Sequence, residues 1–284
     1  MKKLNFIIKY GLALLLLSFY SCESWLNVTP SDRLSEEMLF NDREGFVKAL
    51  NGVYIELNTN ELYGRNLTAG ALDVMGQYYS VASSSHAFYN YGGLVYTGND
   101  EKALFDNMWQ KCYAVIACCN TIIEKCDENK AGLSPVWKGS IKGEALALRA
   151  MLHFDMLRLF GPLTSELDKE SIPYQTNSDQ TVTPLLSGSE VIGLILDDLK
   201  NAVGLLKDTD PYFVEEEFSD TDLNYRRFRM NYFAAKGLMA RVQLWGGDKE
   251  KAAITAKEVI AEGQAEGAEF FPFVTNSEAT SSNP

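Results

Sequence analysis

Apolar residues recur at intervals of three and four along most of this chain, which is the period of an α-helix with one buried face. The first such segment covers residues 42–57, where Phe46, Leu50 and Val53 fall on one face. Asn41 or Asp42 is placed to cap this helix. The same pattern predicts further helices at about residues 103–127, 135–160, 188–206, 230–245 and 249–262.

Polar and turn-forming residues mark the ends of these helices. Ser134 followed by Pro135 is typical of a helix N-terminus, and Ser187 with Glu190 three residues later is a capping-box sequence. The segments 58–100 and 207–229 lack a helical period and predict long irregular loops, while only 95–97 and 171–174 have the character of short strands. The predicted fold class is therefore mainly α.

The last two predicted helices form the clearest pair. They are separated by a Gly-Gly-Asp break at residues 246–248, with the small Ala240 in the first helix and Ala252 and Ala256 along the second. This spacing resembles a tetratricopeptide repeat, in which small residues let two antiparallel helices approach closely. A generic pair of antiparallel helices explains the same packing equally well.

The N-terminus has the pattern of an export signal. Lys2, Lys3 and Lys9 give it positive charge, an apolar core of about ten residues follows, and Cys22 comes directly after that core. A mature membrane-spanning helix needs about 20 continuous apolar residues, so this segment is too short. We interpret residues 1–21 as a lipoprotein signal peptide and Cys22 as the lipidation site, with plain secretion and an uncleaved anchor as the alternatives.

Composition and charge narrow the possible functions. The chain has 284 residues, of which 46 % are hydrophobic and 23 % charged, which is enough for a sizeable core. Residues 1–21 hold three lysines and no acidic residue, so their removal changes the formal charge from −12 to −15. Nucleic-acid binding rests on lysine and arginine neutralising phosphates. The length leaves one large domain or two smaller ones open, and the charge predicts no nucleic-acid partner.

Residue types that usually carry catalysis or bind metals are scarce. His86 and His153 are the only histidines, and there is no CxxC, HExxH, GxSxG or P-loop motif. Cys112, Cys119 and Cys126 share one helix stripe, where seven residues span about 10.5 Å, too far for a disulfide. We interpret them as small buried hydrophobes. The sequence predicts no metal, no cofactor and no enzymatic activity.

Five segments in a fixed order form a distinctive set. They are WLNVTP at 25–30 after Cys22, EGFVKALNGVY at 44–54, the helix with Trp109, Tyr113 and Asn120, the helix with Glu144, Arg149 and His153, and the pair with Ala234-Ala235 and Ala240-Arg241-Val242. Together they resemble the SusD/RagB family of nutrient-binding outer-membrane lipoproteins. The resemblance extends from residue 22 to about residue 262, and it implies one helical-repeat domain over residues 22–284.

The resemblance implies both an architecture and a role. It implies a tetratricopeptide-like helical-repeat scaffold, an αα-superhelix with long irregular loops, lipid-anchored and surface-exposed at the cell outer membrane. It also implies capture of an oligomeric nutrient, a glycan or a peptide, for delivery to a TonB-dependent SusC-type transporter. A helical-repeat scaffold that binds a protein partner is the alternative. Because family members are usually nearly twice as long, we expect this chain to be an N-terminal portion that lacks the C-terminal half.

Tyrosines in residues 76–98, here named the tyrosine loop, are the candidate ligand contacts. A tyrosine offers a flat apolar face and a polar tip to a sugar ring, and binding residues tend to lie on loops held by a rigid scaffold. The predicted contacts are Tyr78, Tyr79, Tyr89 and Tyr91. Packing of this loop under the missing half of the chain is the alternative. Arg149 likewise has two interpretations, a ligand contact or an ion pair between repeats.

Overall fold

The computed structural model describes residues 36–179, 181–214 and 217–264, together with residues 275, 277 and 280. The predicted signal peptide, Cys22 and the segment 25–30 lie outside the described residues. The chain divides into two units, residues 1–39 and 40–284. In the first unit the described element is a short helix, α1 (Glu36–Leu39). All other described elements belong to the second unit.

The second unit is mainly helical, which confirms the predicted fold class. Its helices are α2 (Arg43–Leu57), α3 (Ala71–Met75), α4 (Tyr89–Gly92), α5 (Asn99–Glu128), α6 (Pro135–Phe160), α7 (Gly188–Thr209), α8 (Asp220–Arg226), α9 (Tyr232–Trp245) and α10 (Lys249–Gly263). Two short strands, β1 (Glu170–Pro173) and β2 (Leu185–Ser187), pair antiparallel between α6 and α7. Within the described ranges, no helix is both long enough and apolar enough to cross a membrane.

Several helices begin where the sequence signals place them. The Asp42 carboxylate accepts a hydrogen bond at 2.8 Å from the backbone N–H three residues later, and the Ser134 hydroxyl does the same at 3.3 Å. Ser187 and Glu190 form both bonds of the capping box at the start of α7. These bonds satisfy N–H groups that have no partner inside the helix.

Three predictions about local structure were wrong or incomplete. Residues 95–97 form no strand, because the Val95 N–H bonds locally to the Asn90 carbonyl at 2.9 Å. The predicted strand at 171–174 is present as β1, but its partner β2 was not predicted, since three residues are too few to show alternation. Helix α8 lies inside the supposedly irregular 207–229, where Ser219 and Asp222 form a second capping box.

The core is centred on α6, which is buried on almost all sides. Helices α2, α5 and α7 all pack against α6, α9 packs against α7, and α10 packs against α9. The approach of α6 and α7 depends on small residues: a Cβ on Gly139 would lie 2.5 Å from Thr209, and one on Gly143 would lie 2.8 Å from Leu206. This succession of neighbouring helix pairs is the arrangement of a helical repeat.

The cysteine stripe on α5 faces the core. Cys112, Cys119 and Cys126 are fully buried, and Cys118, on another side of the helix, is exposed. All four are free thiols. The interpretation of the stripe as small buried hydrophobes is therefore confirmed.

Candidate functional site

Arg149 is part of a buried ion pair that joins α6 to α7. Its Nε and Nη2 both donate to the Asp198 carboxylate at 2.7 Å, and its Nη1 donates to Asn120 at 2.8 Å. Tyr174 adds a fourth bond, donating its hydroxyl to Asp198 at 2.6 Å. Burial acts to lower the pKa of Arg149, but the bonded Asp198 carboxylate outweighs it and the pKa is raised. Arg149 thus forms an ion pair between repeats, and its guanidinium N–H groups donate to other groups of the protein.

A second buried cluster joins α2 and α6 to the segment around α8. The Glu144 carboxylate accepts bonds from Arg226, from Arg229 at 2.8 Å and from the Tyr54 hydroxyl. Arg226 also donates to both oxygens of Asp210, at 2.6 and 3.0 Å. Burial acts to raise the pKa of Glu144, and the two arginines lower it further than burial raises it. This cluster holds the repeats together and supplies no free catalytic group.

A cleft of about 490 Å³ adjoins the second cluster. Its wall is largely apolar and includes Trp137 and Phe218, whose ring centroids are 4.4 Å apart. Tyr225 and Phe228 stand at its edge and are 61 % and 71 % exposed. Exposed aromatic residues beside a cleft are typical of a surface that contacts another molecule.

The connection between α2 and α5 has a small core of its own. Leu62, Leu67, Ala71 and Val74 are buried in it. The Tyr63 hydroxyl fastens the connection to α6 by donating to a carboxylate oxygen of Asp155 at 2.6 Å. The segment that the sequence predicts as irregular is therefore a packed structure fixed to the helical scaffold.

Tyr91, one of the four predicted ligand contacts, lies inside this small core. It is 2 % exposed, and its ring makes edge contacts with Phe88 and Phe105 at centroid distances of 5.8 and 6.0 Å. Burial, with smaller contributions from Glu101 and Asp100, raises the pKa of Tyr91 to about 12. Its place in the structure is beneath the loop surface, where it supports the other rings.

The other three predicted tyrosines lie at the surface of the tyrosine loop. Tyr78, Tyr79 and Tyr89 are 79 %, 54 % and 42 % exposed. The Gln77 side chain links their two segments, because its amide donates to the Val74 carbonyl of α3 at 3.2 Å and to the Gly92 carbonyl of α4 at 3.0 Å. The structure therefore exposes three of the four candidates on two linked segments of the loop, and their role as ligand contacts stays a prediction.

The backbone of the tyrosine loop is fixed in unusual conformations at two positions. Gln77 and Leu94 have φ angles of +62° and +55°, in the left-handed region that L-residues adopt at a cost of about 1–2 kcal/mol. Local hydrogen bonds hold both residues in place. The Gln77 side chain makes the two bonds described above, and the Leu94 N–H donates to the Tyr91 carbonyl at 3.1 Å. Strained backbone kept in place by surrounding bonds is common at binding sites.

An aromatic chain connects the tyrosine loop to the repeats, which the sequence did not predict. From Tyr91 it passes through Phe105 to Phe160 at 6.3 Å, and from Phe160 to Trp109 at 5.1 Å. Phe105, Trp109 and Phe160 are half-buried. Phe105 and Trp109 are four residues apart on α5 and so share a helix face. This spacing is the sequence feature from which their contact with a common partner could have been predicted.

The sequence of this chain is similar to one protein family and to several known proteins. Residues 24–244 match the SusD-like family model described as starch-binding associating with outer membrane. SusD-like protein P2 of Formosa agariphila is 26 % identical over 265 residues, which are 91 % of this chain and 46 % of that protein. A SusD-like protein of Bacteroides ovatus is 30 % identical over 146 residues, 50 % of this chain and 23 % of that protein. The chain thus spans less than half the length of the curated relatives it matches.

Solved structures share the helical-repeat fold. A SusD-like carbohydrate binding protein from Bacteroides vulgatus has a TM-score of 0.65 and 23 % identity, covering 84 % of this chain and 47 % of that one. A laminarin binding SusD-like protein has a TM-score of 0.57 and 17 % identity, covering 77 % of this chain and 43 % of that one. At such identities the similarity shows the fold, and the predicted tetratricopeptide-like scaffold is confirmed.

Proposed function

This chain belongs to the SusD-like family, and on that premise we propose that it binds oligosaccharide nutrients at the surface of the tyrosine loop without catalysing a reaction. The observation that carries the proposal is the exposure of Tyr78, Tyr79 and Tyr89 on a loop that is packed and hydrogen-bonded to the helical scaffold. Relatives described as carbohydrate binding and laminarin binding support the choice of a glycan over a peptide.

The chemistry of the exposed side chains matches a sugar. One face of a pyranose ring is lined by C–H groups and covers the flat face of a tyrosine, while the ring hydroxyls bond to polar tips at its edge. A tyrosine has two rotatable side-chain bonds, so little conformational entropy is lost when it becomes ordered on binding. The fixed backbone at Gln77 and Leu94 reduces that loss further.

The proposal includes a location and a partner. Removal of residues 1–21 and lipidation of Cys22 would anchor the protein at the outer membrane, since two or more acyl chains give a stable anchor. A TonB-dependent SusC-type transporter would receive the captured nutrient. The sequence pattern of residues 1–22 and the family description as associating with outer membrane support this location. Replacing Cys22 by Ser should abolish incorporation of radiolabelled fatty acid, and continued incorporation would contradict the anchor.

Affinity gel electrophoresis of the full chain tests the binding site. Migration through gels that contain laminarin or another neutral glucan should be retarded. The Tyr78→Ala/Tyr79→Ala variant should weaken binding by about 10–100-fold, which corresponds to a loss of about 0.7–1.4 kcal/mol of stacking for each ring. Tyr225→Ala is the matched control, since Tyr225 is a similarly exposed tyrosine outside the loop. Unchanged retardation of a variant that lacks Tyr78, Tyr79 and Tyr89 would reject the site.

A protein-binding scaffold is the second candidate function, and the cleft beside Glu144 favours it. Phe228 and Tyr225 are 71 % and 61 % exposed at this cleft, and aromatic residues are enriched where proteins contact each other. Under this alternative, no glycan would retard the chain, and Phe228→Ala would reduce its co-purification with a membrane partner. Tyr78→Ala/Tyr79→Ala would leave that co-purification unchanged.

A further inference from the structure

The tyrosine loop differs from the rest of the chain in its charge. Residues 76–98 contain no Asp, Glu, Lys or Arg, although these make up 23 % of the whole chain, a frequency at which 23 residues would hold about five. The loop instead carries hydroxyls and amides, among them Ser83, Ser84, Ser85 and Asn90. Its surface can therefore donate and accept hydrogen bonds, and it offers no ion pair to a ligand.

His86, the titratable imidazole in the loop, is already engaged. Its Nδ1 accepts a hydrogen bond from the Phe88 backbone N–H at 3.1 Å. His86 thus adds a polar group to the loop, and the formal charge at pH 7 counts it as neutral.

The charged residues next to the loop include two acids, Asp100 and Glu101, and one exposed cation, Arg65. Glu101 and Asp100 act on Tyr91 strongly enough to raise its pKa beyond the effect of burial. The Glu101 carboxylate is turned inward, where it is 5 % exposed and accepts a bond from Asn90 at 2.7 Å. Arg65 is a neighbouring cation, and its guanidinium lies over the Phe88 ring at 5.7 Å.

We infer that the tyrosine loop selects uncharged oligosaccharides and discriminates against uronate-rich or sulfated glycans and acidic peptides. A bound carboxylate or sulfate needs arginine or lysine to replace its lost hydration. Residues 76–98 supply neither, and the neighbouring Arg65 lies over Phe88 and donates its Nε to Asn66 at 3.2 Å. The formal charge of −12 adds long-range repulsion toward a polyanion. A neutral sugar needs only the stacking faces and hydrogen-bonding groups that the loop presents. The inference rests on the proposed function and names its substrate class.

Affinity gels that differ in polymer charge test this selectivity. Laminarin and hydroxyethylcellulose serve as neutral polymers, and alginate and polygalacturonate as anionic ones, each at 20 mM and 500 mM NaCl. We expect a neutral polymer to retard the full chain equally at both salt concentrations, and the anionic polymers to bind at least tenfold more weakly. Stronger retardation by an anionic polymer, lost at high salt and lost in Tyr78→Ala/Tyr79→Ala, would overturn the selectivity and leave the binding site intact. If no polymer retards the chain, the proposed function itself fails.

Added charge tests the cause of the selectivity. Ala82 and Ser84 are exposed positions of the loop, so Ala82→Lys/Ser84→Lys places two cations there. Ala253→Lys/Ala256→Lys is the matched control, because it adds the same charge at exposed positions of α10. We expect alginate to retard the loop variant at 20 mM NaCl, at least threefold more than the control variant. Equal retardation of the two variants would contradict the inference that the uncharged loop sets the ligand class.

Discussion

Acidification should destabilise this fold through His153, a histidine that is fully buried in α6. Its Nδ1 lies 3.0 Å from the Arg149 carbonyl, to which it must donate, and its Nε2 accepts a bond from the Gln175 backbone N–H at 3.0 Å. These two bonds specify one neutral tautomer. The ring also stacks on Tyr174 with a centroid distance of 4.0 Å. A second proton would break the bond from Gln175 and place a charge in the core.

The size of the effect follows from the shifted pKa. Burial lowers the pKa of His153 from 6.5 to about 3, the bond to the Arg149 carbonyl opposes the shift, and the Arg149 charge adds to it. Between those values the unfolded chain binds a proton that the folded chain does not, so stability falls as the pH falls from about 6.5 to about 3. The loss from this group is about 2 kcal/mol at pH 5, and it grows by about 1.4 kcal/mol for each further pH unit down to pH 3.

Urea unfolding of the full chain, followed by tryptophan fluorescence between pH 7.5 and pH 5, measures this loss. His153→Gln keeps one donor and one acceptor without a titrating group, so its unfolding free energy should fall by about 2 kcal/mol less than that of the wild type over this range. Carboxylates contribute the same pH dependence to the unfolding free energy of both proteins, so their contribution cancels in the comparison. His86→Gln is the control, because it makes the same change of residue at an exposed position of the tyrosine loop rather than in the core. Equal pH slopes for wild type and His153→Gln would refute the reasoning.

Three further predictions test the scaffold and the loop. Arg149→Met leaves the Asp198 carboxylate buried without its cation and should cost about 3–5 kcal/mol in urea unfolding; a loss below about 1 kcal/mol would contradict the buried ion pair. Gly143→Ala places a Cβ 2.8 Å from a leucine of α7 and should lower the free energy of unfolding by about 1–3 kcal/mol. Gly193→Ala is the control, because its Cβ would meet open space and should raise the free energy of unfolding by up to about 1 kcal/mol. Equal effects of the two variants would show that the α6–α7 contact is not tight. Gln77→Ala removes the hydrogen-bonded link between α3 and α4, so calorimetry should find weaker oligosaccharide binding. The free energy of unfolding should change by only about 1 kcal/mol. Unchanged affinity would show that the link does not position the tyrosines.

The helices were predictable because their signals are local. The cap at Asp42 and the box formed by Ser187 and Glu190 act over three residues, and the apolar stripes repeat within two turns. The errors fall where such signals compete with packing. Helix α5 begins at Asn99, four residues earlier than predicted, because its first turn is polar in sequence although Glu101 is buried in the fold.

The candidate site was only partly predictable. The sequence identified the tyrosine loop as a region, from its tyrosine content and from the family resemblance. It did not distinguish Tyr89, which is exposed, from Tyr91 two residues later, which is buried. Both lie on α4, a single helical turn whose pattern is too short to define a buried face.

The amino-acid sequence by itself determined the helical class, the helix boundaries set by caps, the order of the family segments and the absence of charge from the tyrosine loop. Each of these depends on residues close together in the chain. Only the tertiary structure decided that Tyr91 is covered by Phe105, that Arg149 is paired with Asp198, and that Gln77 ties two turns of the loop together. Burial and pairing depend on side chains that are distant in sequence, and folding of the repeats is what brings those side chains into contact.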